Sequence, residues 1–265
     1  MTDISVTGWD DLHHQLFDGA WDQTLQRFRS RHVFRGVSDA SYRLHTTLFR
    51  LGGSYERLER NLLRNFRKYA HRDAAAGDSI WNWLAVAQHH GLPTRLLDWT
   101  YSPHAALHFA TAGVQRGTVD GAIWCVNYIE VHRLLPPPLH DLLLQEGSNV
   151  FTTDMLQVAA HSLAEFDQLG VQPFVLFFEP PSLDDRVVNQ SALFSVMSSA
   201  HGVLDEWLEQ HKSPVRKIIV PAELKWEIRD KLDELNITER VMFPGLDGLS
   251  AWLARYYGPR HAQPG

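Results

Sequence analysis

The chain has 265 residues, of which 44% are hydrophobic, 21% charged and 11% aromatic, an ordinary globular composition that excludes disorder over most of its length. Its formal charge of −6 argues against a protein that grips nucleic acid with its whole surface, because phosphate binding draws on a net positive face. The single Cys125 excludes an intramolecular disulfide and a cysteine-based zinc cluster. No run approaches the ~18 apolar residues of a membrane span, and Met1–Ser5 lacks a basic-then-apolar leader, so a cytoplasmic protein with no membrane partner is expected.

In chain order, Thr7–Phe17 reads as an N-terminal amphipathic helix with Thr7 as its cap. His32–Val37 alternates like a strand, and Tyr42–Leu48 reads as its partner or an irregular crossing. Ser54–His71 is a helix with one apolar face and an opposite face of Arg57, Arg60, Arg64, Arg67 and Lys68. That basic face is read as solvated, supported by Glu56/Arg60 pairing at i,i+4, or as a strip for an anionic partner. Ser79–His90 is apolar around more than half its circumference, which places it centrally. Gly91 and Pro93 end it.

Thr94–Thr100 then forms a short strand, and Ser102-Pro103 caps and opens the next helix. Gly121–Ile129 is a strong strand, with Cys125 a buried, inert thiol. Pro136-Pro137-Pro138 opens a connecting region to about Thr153 that includes Glu146 and suits a mobile loop. Asp154–Phe166 is helical. Phe174–Phe178, Ala192–Met197 and Arg216–Val220 are strands, followed by a helix over Ala222–Leu235. A last helix of about ten residues follows Met242–Leu249. Helices and strands mix without regular βαβ alternation, so the fold class is α+β, in one domain over 1–265.

The chemistry concentrates in Gln88–Thr100. The chain has no glycine-rich phosphate loop, which excludes a P-loop NTPase or Rossmann dehydrogenase, and no G-x-S-x-G nucleophile elbow. Arginine forks suit phosphates. Arg35 beside Gly36, then Thr94-Arg95, Thr100 and Ser102, then Arg186–Ser191 with its amides, therefore form a set able to hold a diphosphate-bearing ligand. Alternatively, Arg35 and Arg95 pair with buried Asp39 and Asp98. His104 and His108 stand at metal-ligand spacing, with His89 and Asp98 as further candidate ligands for a metal-dependent hydrolase, although H-E-x-x-H is absent and no metal is expected.

Phe34-Arg35-Gly36, the run Gln88–Thr100, Ser102-Pro103 with Ala106–Ala110, and Phe243–Gly248 resemble the FRG domain family over about residues 30–250. Its layout is similar in turn to the ADP-ribosyltransferase fold. The resemblance implies a split β core surrounded by helices that uses NAD as substrate and modifies a protein or nucleic-acid acceptor, as a toxin or phage-defence effector. It implies that Arg35 and Arg95, with Gly36 and Thr94 beside them, hold the diphosphate. Thr100 and Ser102 would then hold the nicotinamide ribose, Gln190 the ribose hydroxyls, and His89 with Asp98 the reactive groups. The late motif carries Gln190 where that superfamily has an acidic residue. Either His89, His90, Asp98 or Glu146 supplies the charge, or the domain binds nucleotide or ADP-ribose without turning it over.

Overall fold

The computed structural model describes residues 2–71, 77–113 and 118–259. The strands are β1 (Thr2–Ser5), β2 (Trp21–Asp22), β3 (Arg27–Phe28), β4 (His32–Val37), β5 (Leu96–Thr100), β6 (Gly121–Asn127), β7 (Phe151–Thr152), β8 (Val175–Glu179), β9 (Ala192–Met197) and β10 (Val215–Val220). Eight of them form one sheet in the order β1-β10-β6-β4-β5-β9-β8-β7, while β2 and β3 make a separate hairpin. The outermost pairs β1–β10 and β7–β8 are parallel and the rest antiparallel. The fold is thus a large mixed sheet with helices on its faces, and no helix among the described residues is long and apolar enough to cross a membrane.

The sheet is weakest at its centre. β4 pairs with β6 over six residues, His32 to Val37, but touches β5 only at Phe34↔Thr100. The packing follows the same division. Leu96, Phe178, Phe194 and Val196 of the β5-β9-β8 half bury one face against the helices Ile80–His89 and Pro137–Glu146. Phe34, Ile123, Cys125 and Ile218 of the β4-β6-β10 half pack against Trp9–Phe17, Pro103–Ala110 and Lys225–Glu234. On the opposite face one apolar layer, including Val33, Trp124, Leu97, Trp99 and Phe177, runs across both halves. Burying that shared layer holds the halves together, and the two diverging layers leave an opening between them.

Local signals explain several elements. Ser102 Oγ accepts from the Ala105 amide at 3.2 Å, with Pro103 in the first turn. Gly36 lies under this helix so closely that a Cβ there would fall 1.8 Å from the Ala106 carbonyl oxygen. Its missing side chain therefore serves helix packing, not the approach of a ligand. Cys125 is buried, and burial pushes its thiol up to about 11.

Other expectations need correction. The Pro136–Pro138 run starts a helix, Pro137–Glu146, because prolines fit the first turn, where amides lack partners anyway, and Leu139, Leu142 and Leu143 then bury one face. The predicted mobile loop is thus mostly helical, and Glu146 ends that helix away from the opening. Tyr42–Leu48 adds no strand; it leads into the short helix Thr47–Leu51, capped by Thr46. Asp154–Phe166 divides into Thr153–Ala159 and Leu163–Asp167, because extended Ala160 breaks the run and Ser162 caps anew. The first helix starts at Trp9, and Thr7 donates its amide to Asp11 instead of capping.

Candidate functional site

The opening between β4 and β5 is a cleft of about 560 Å3, within the range of small-molecule sites. Among its lining residues are Arg35, Gly36, His89, Asp98, Thr100 and Gln190, six of the nine positions that the sequence singles out. Strand alternation starts the Arg35 side chain on the face of Val33 and Val37. From there its Nη1 reaches across the gap and donates to the Asp98 carbonyl oxygen at 2.6 Å, 3.7 Å from the Asp98 carboxylate. The other guanidinium nitrogens make no hydrogen bond among the described residues, so the fork keeps donors toward the cleft. Burial lowers the Arg35 pKa and the Asp98 carboxylate opposes it; the group stays cationic at neutral pH.

Asp98 is the open carboxylate of the site, its side chain 59% exposed. Gln88 Nε2 donates to its two oxygens at 3.0 and 3.1 Å. The orientation of this amide is fixed from behind. Thr94 Oγ1 accepts from the Leu96 amide and donates to Gln88 Oε1 at 2.5 Å. Gln88 thus holds the carboxylate from the end of the helix Ile80–His89. Gly91, at φ +80°, turns the chain there, a backbone state that costs glycine little. Gln88 opens the run that carries the family resemblance, but nothing in the sequence gives it this role.

The far wall is the helix Asp185–Asn189 with Gln190. Asp184 caps it, accepting from the amides of Arg186 and Val187, and its other oxygen lies 2.8 Å from His89 Nε2. Burial raises the Asp184 pKa, but the Val187 amide and His89 outweigh it, and the group titrates below its usual range. Gln190 Nε2 donates to the Met242 carbonyl at 2.8 Å, and Asn189 Nδ2 to that of Val241. These bonds bring the Phe243–Gly248 segment to the cleft mouth, where the Arg186 guanidinium lies 5.2 Å from the centre of the Phe243 ring. Arg186, which the sequence marks only as the start of an amide-bearing run, thus lines the cleft.

Three expected residues lie elsewhere. Arg95 is 3% exposed and turned away from the cleft; Glu59 takes its Nε and Nη2 at 2.6–2.9 Å, and Asp167 its Nη1. A buried guanidinium held by two carboxylates has no free edge for a diphosphate. Thr94 is buried and acts through Gln88. Ser102 caps its helix, and Thr100 Oγ1, though at the cleft, already donates to the Gln190 carbonyl at 2.6 Å. The expected pairing of Arg35 with Asp39 and Arg95 with Asp98 is likewise replaced: Arg35 holds Asp98, while Asp39 accepts from Ser41.

The metal reading fails on geometry. His89 faces Asp184, His104 Nε2 lies 3.3 Å from His13, and His108 accepts from Arg229 at 2.8 Å. The three go to different places, and among the described residues no group of three or more candidate ligands is set to hold a metal.

Residues 30–118 match the family model of the FRG domain. That segment is similar to the FRG domain. No curated protein and no solved structure matches the chain. The matched segment supplies β4 with Arg35, the helix bearing Gln88 and His89, and β5 with Asp98. The wall of Arg186 and Gln190 comes from beyond it, so the cleft needs more of the chain than that segment alone.

Proposed function

We propose that the cleft binds NAD and that the protein transfers ADP-ribose from it to a protein or nucleic-acid acceptor. The observation that carries this reading is the meeting of Arg35, Asp98 and Gln190 around one cleft beside the β4–β5 junction. In the ADP-ribosyltransferase layout that the sequence resembles, an early-strand arginine and a late-strand acidic residue flank the nucleotide; here Arg35 takes the first place and Gln190, at a helix end before β9, the second. Arg35 holds the diphosphate with its free donors. As the bond from nicotinamide to ribose C1′ breaks, positive charge develops on the sugar, and a fixed carboxylate stabilises it. Asp98, held by Gln88, supplies that charge where Gln190 has none, and Gln190 Oε1 accepts from a ribose hydroxyl. Nicotinamide leaves, and the acceptor nucleophile bonds to C1′ and loses its proton. A toxin or phage-defence role accords with the family resemblance.

Gln190 itself favours a second reading, nucleotide or ADP-ribose recognition without turnover, because an amide orients a ribose but adds no charge. Incubation with labelled NAD and a mixture of protein and nucleic-acid acceptors separates the two. Label transfer with nicotinamide release, lost in Arg35→Ala, supports the transferase. A melting temperature raised by intact NAD, with no nicotinamide released, supports the binding module. No shift and no release removes both.

A further inference from the structure

A second groove, of about 920 Å3, shares no lining residue with the cleft. One wall is the helix Tyr55–Ala70, whose Arg57, Arg60, Arg64, Arg67 and Lys68 all line it. At about 100° per residue these five cations fall within an arc of about 100°, spread along about 16 Å of helix. The floor is apolar: Leu63 and Trp83 are buried beneath it, and the half-buried Ile80 and Leu163 form its accessible part. Of the acids that line it, Asp78 stands beside Gly77 beyond the C-terminal end of the stripe, and the other three are engaged elsewhere. Glu59 and Asp167 hold Arg95, and Glu56 lies 2.9 Å from His201, so the expected Glu56/Arg60 pair does not form. None of the five cations is ion-paired with a described residue; Arg67 lies over the Trp83 ring at 5.7 Å and Lys68 over Tyr69 at 5.1 Å. On a chain of net charge −6, this stripe is a concentrated positive field above an apolar floor.

We propose that this groove docks an acidic amphipathic helix of a partner protein. Carboxylates three and four residues apart on such a helix repeat at the same pitch as the arginines, whose forks bind carboxylates bidentately. Its apolar face covers the floor, as in other helix-in-groove complexes. A lone fatty-acid carboxylate would engage one or two of the cations, not a line of five. Single-stranded nucleic acid needs open aromatic faces for its bases, and the floor indole, Trp83, is 2% exposed.

The test uses the full chain and a labelled designed peptide about four turns long, with Glu on one helical face and Leu on the other. A scrambled peptide of the same composition and an oligothymidylate serve as comparisons in fluorescence anisotropy. The amphipathic peptide should bind about tenfold tighter than the scramble, weakening with salt. Arg60→Glu with Arg64→Glu, both exposed, should weaken it about tenfold or more at an unchanged melting temperature. Equal binding of the scramble, tighter binding of the oligonucleotide, no binding of the peptide, or binding unaffected by the double variant would each overturn the proposal.

Discussion

Arg35 donates to the main-chain carbonyl of Asp98 at 2.6 Å, so the one carboxylate among the described lining residues of the cleft and its principal cation are tied together through the backbone. The bond leaves the carboxylate itself to Gln88. Charge and orientation at this point therefore come from different residues, and they can be separated by substitution.

Asp98→Asn should reduce nicotinamide release by about 10²–10³-fold while NAD binding changes little, because removing one preorganised charge costs on that order. Gln88→Ala leaves the carboxylate in place but unheld, and a smaller loss is expected. Initial rates together with NAD-dependent melting shifts check both; equal rates for Asp98→Asn and the parent chain would exclude Asp98 from the reaction.

Arg95→Leu should destabilise the fold by about 3–5 kcal/mol, because it strands Glu59 and Asp167 as buried charges without a partner. Burial alone would lower the Arg95 pKa, and the two carboxylates more than offset it. Urea unfolding measures the loss, and Glu59→Gln combined with Arg95→Leu should recover part of it. A loss confined to nucleotide affinity would return Arg95 to the cleft.

Gly36→Ala should cost about 3 kcal/mol or more, since the new methyl group would meet the backbone at Ala106, not a movable side-chain tip. Thermal unfolding reads the cost directly. A neutral substitution would mean that Pro103–Ala110 packs less closely on β4 than its geometry states.

Acid should destabilise the protein well before its carboxylates titrate. Burial lowers His32 and His132 to about 4, and burial with Arg229 lowers His108 to about 3. These side chains are neutral in the fold but take up a proton near pH 6.5 once unfolded. Their contribution is therefore complete above pH 6.5 and is lost as the pH falls toward 4. His132, whose Nδ1 donates to the Asn149 carbonyl while Nε2 accepts the Phe177 amide, should alone account for about 3 kcal/mol of the loss. Denaturation midpoints across that window test it, and a flat profile from pH 6.5 to 4 would contradict the neutral state.

What could be read from the sequence was local. Ser102-Pro103 and Gly91 announce their helix ends within a few residues, and β4 and β9 follow from alternation and apolar runs, with bounds matching the structure. Arg35 and Asp98 sit mid-strand in β4 and β5 and Gln190 just past the helix Asp185–Asn189; they could be named together because the motifs that carry them resemble a known family. Arg95 could not be placed so, because its partners Glu59 and Asp167 lie 36 and 72 residues away and nothing near it in the chain shows them. β1 escaped notice for the same reason: four residues become a strand only by pairing with β10 near the other end of the chain. Gln88 looks like any polar residue on an apolar helix until Thr94 and Asp98 are seen on either side of it.

The single rung at Phe34↔Thr100 gives the molecule a seam down its middle. Main-chain bonds do little to set the attitude of its two halves, which falls to the shared apolar layer and to Arg35 acting as a strut onto Asp98. The remaining donors of that guanidinium face the cleft, so an anion that takes them sits on the one side chain that spans the seam.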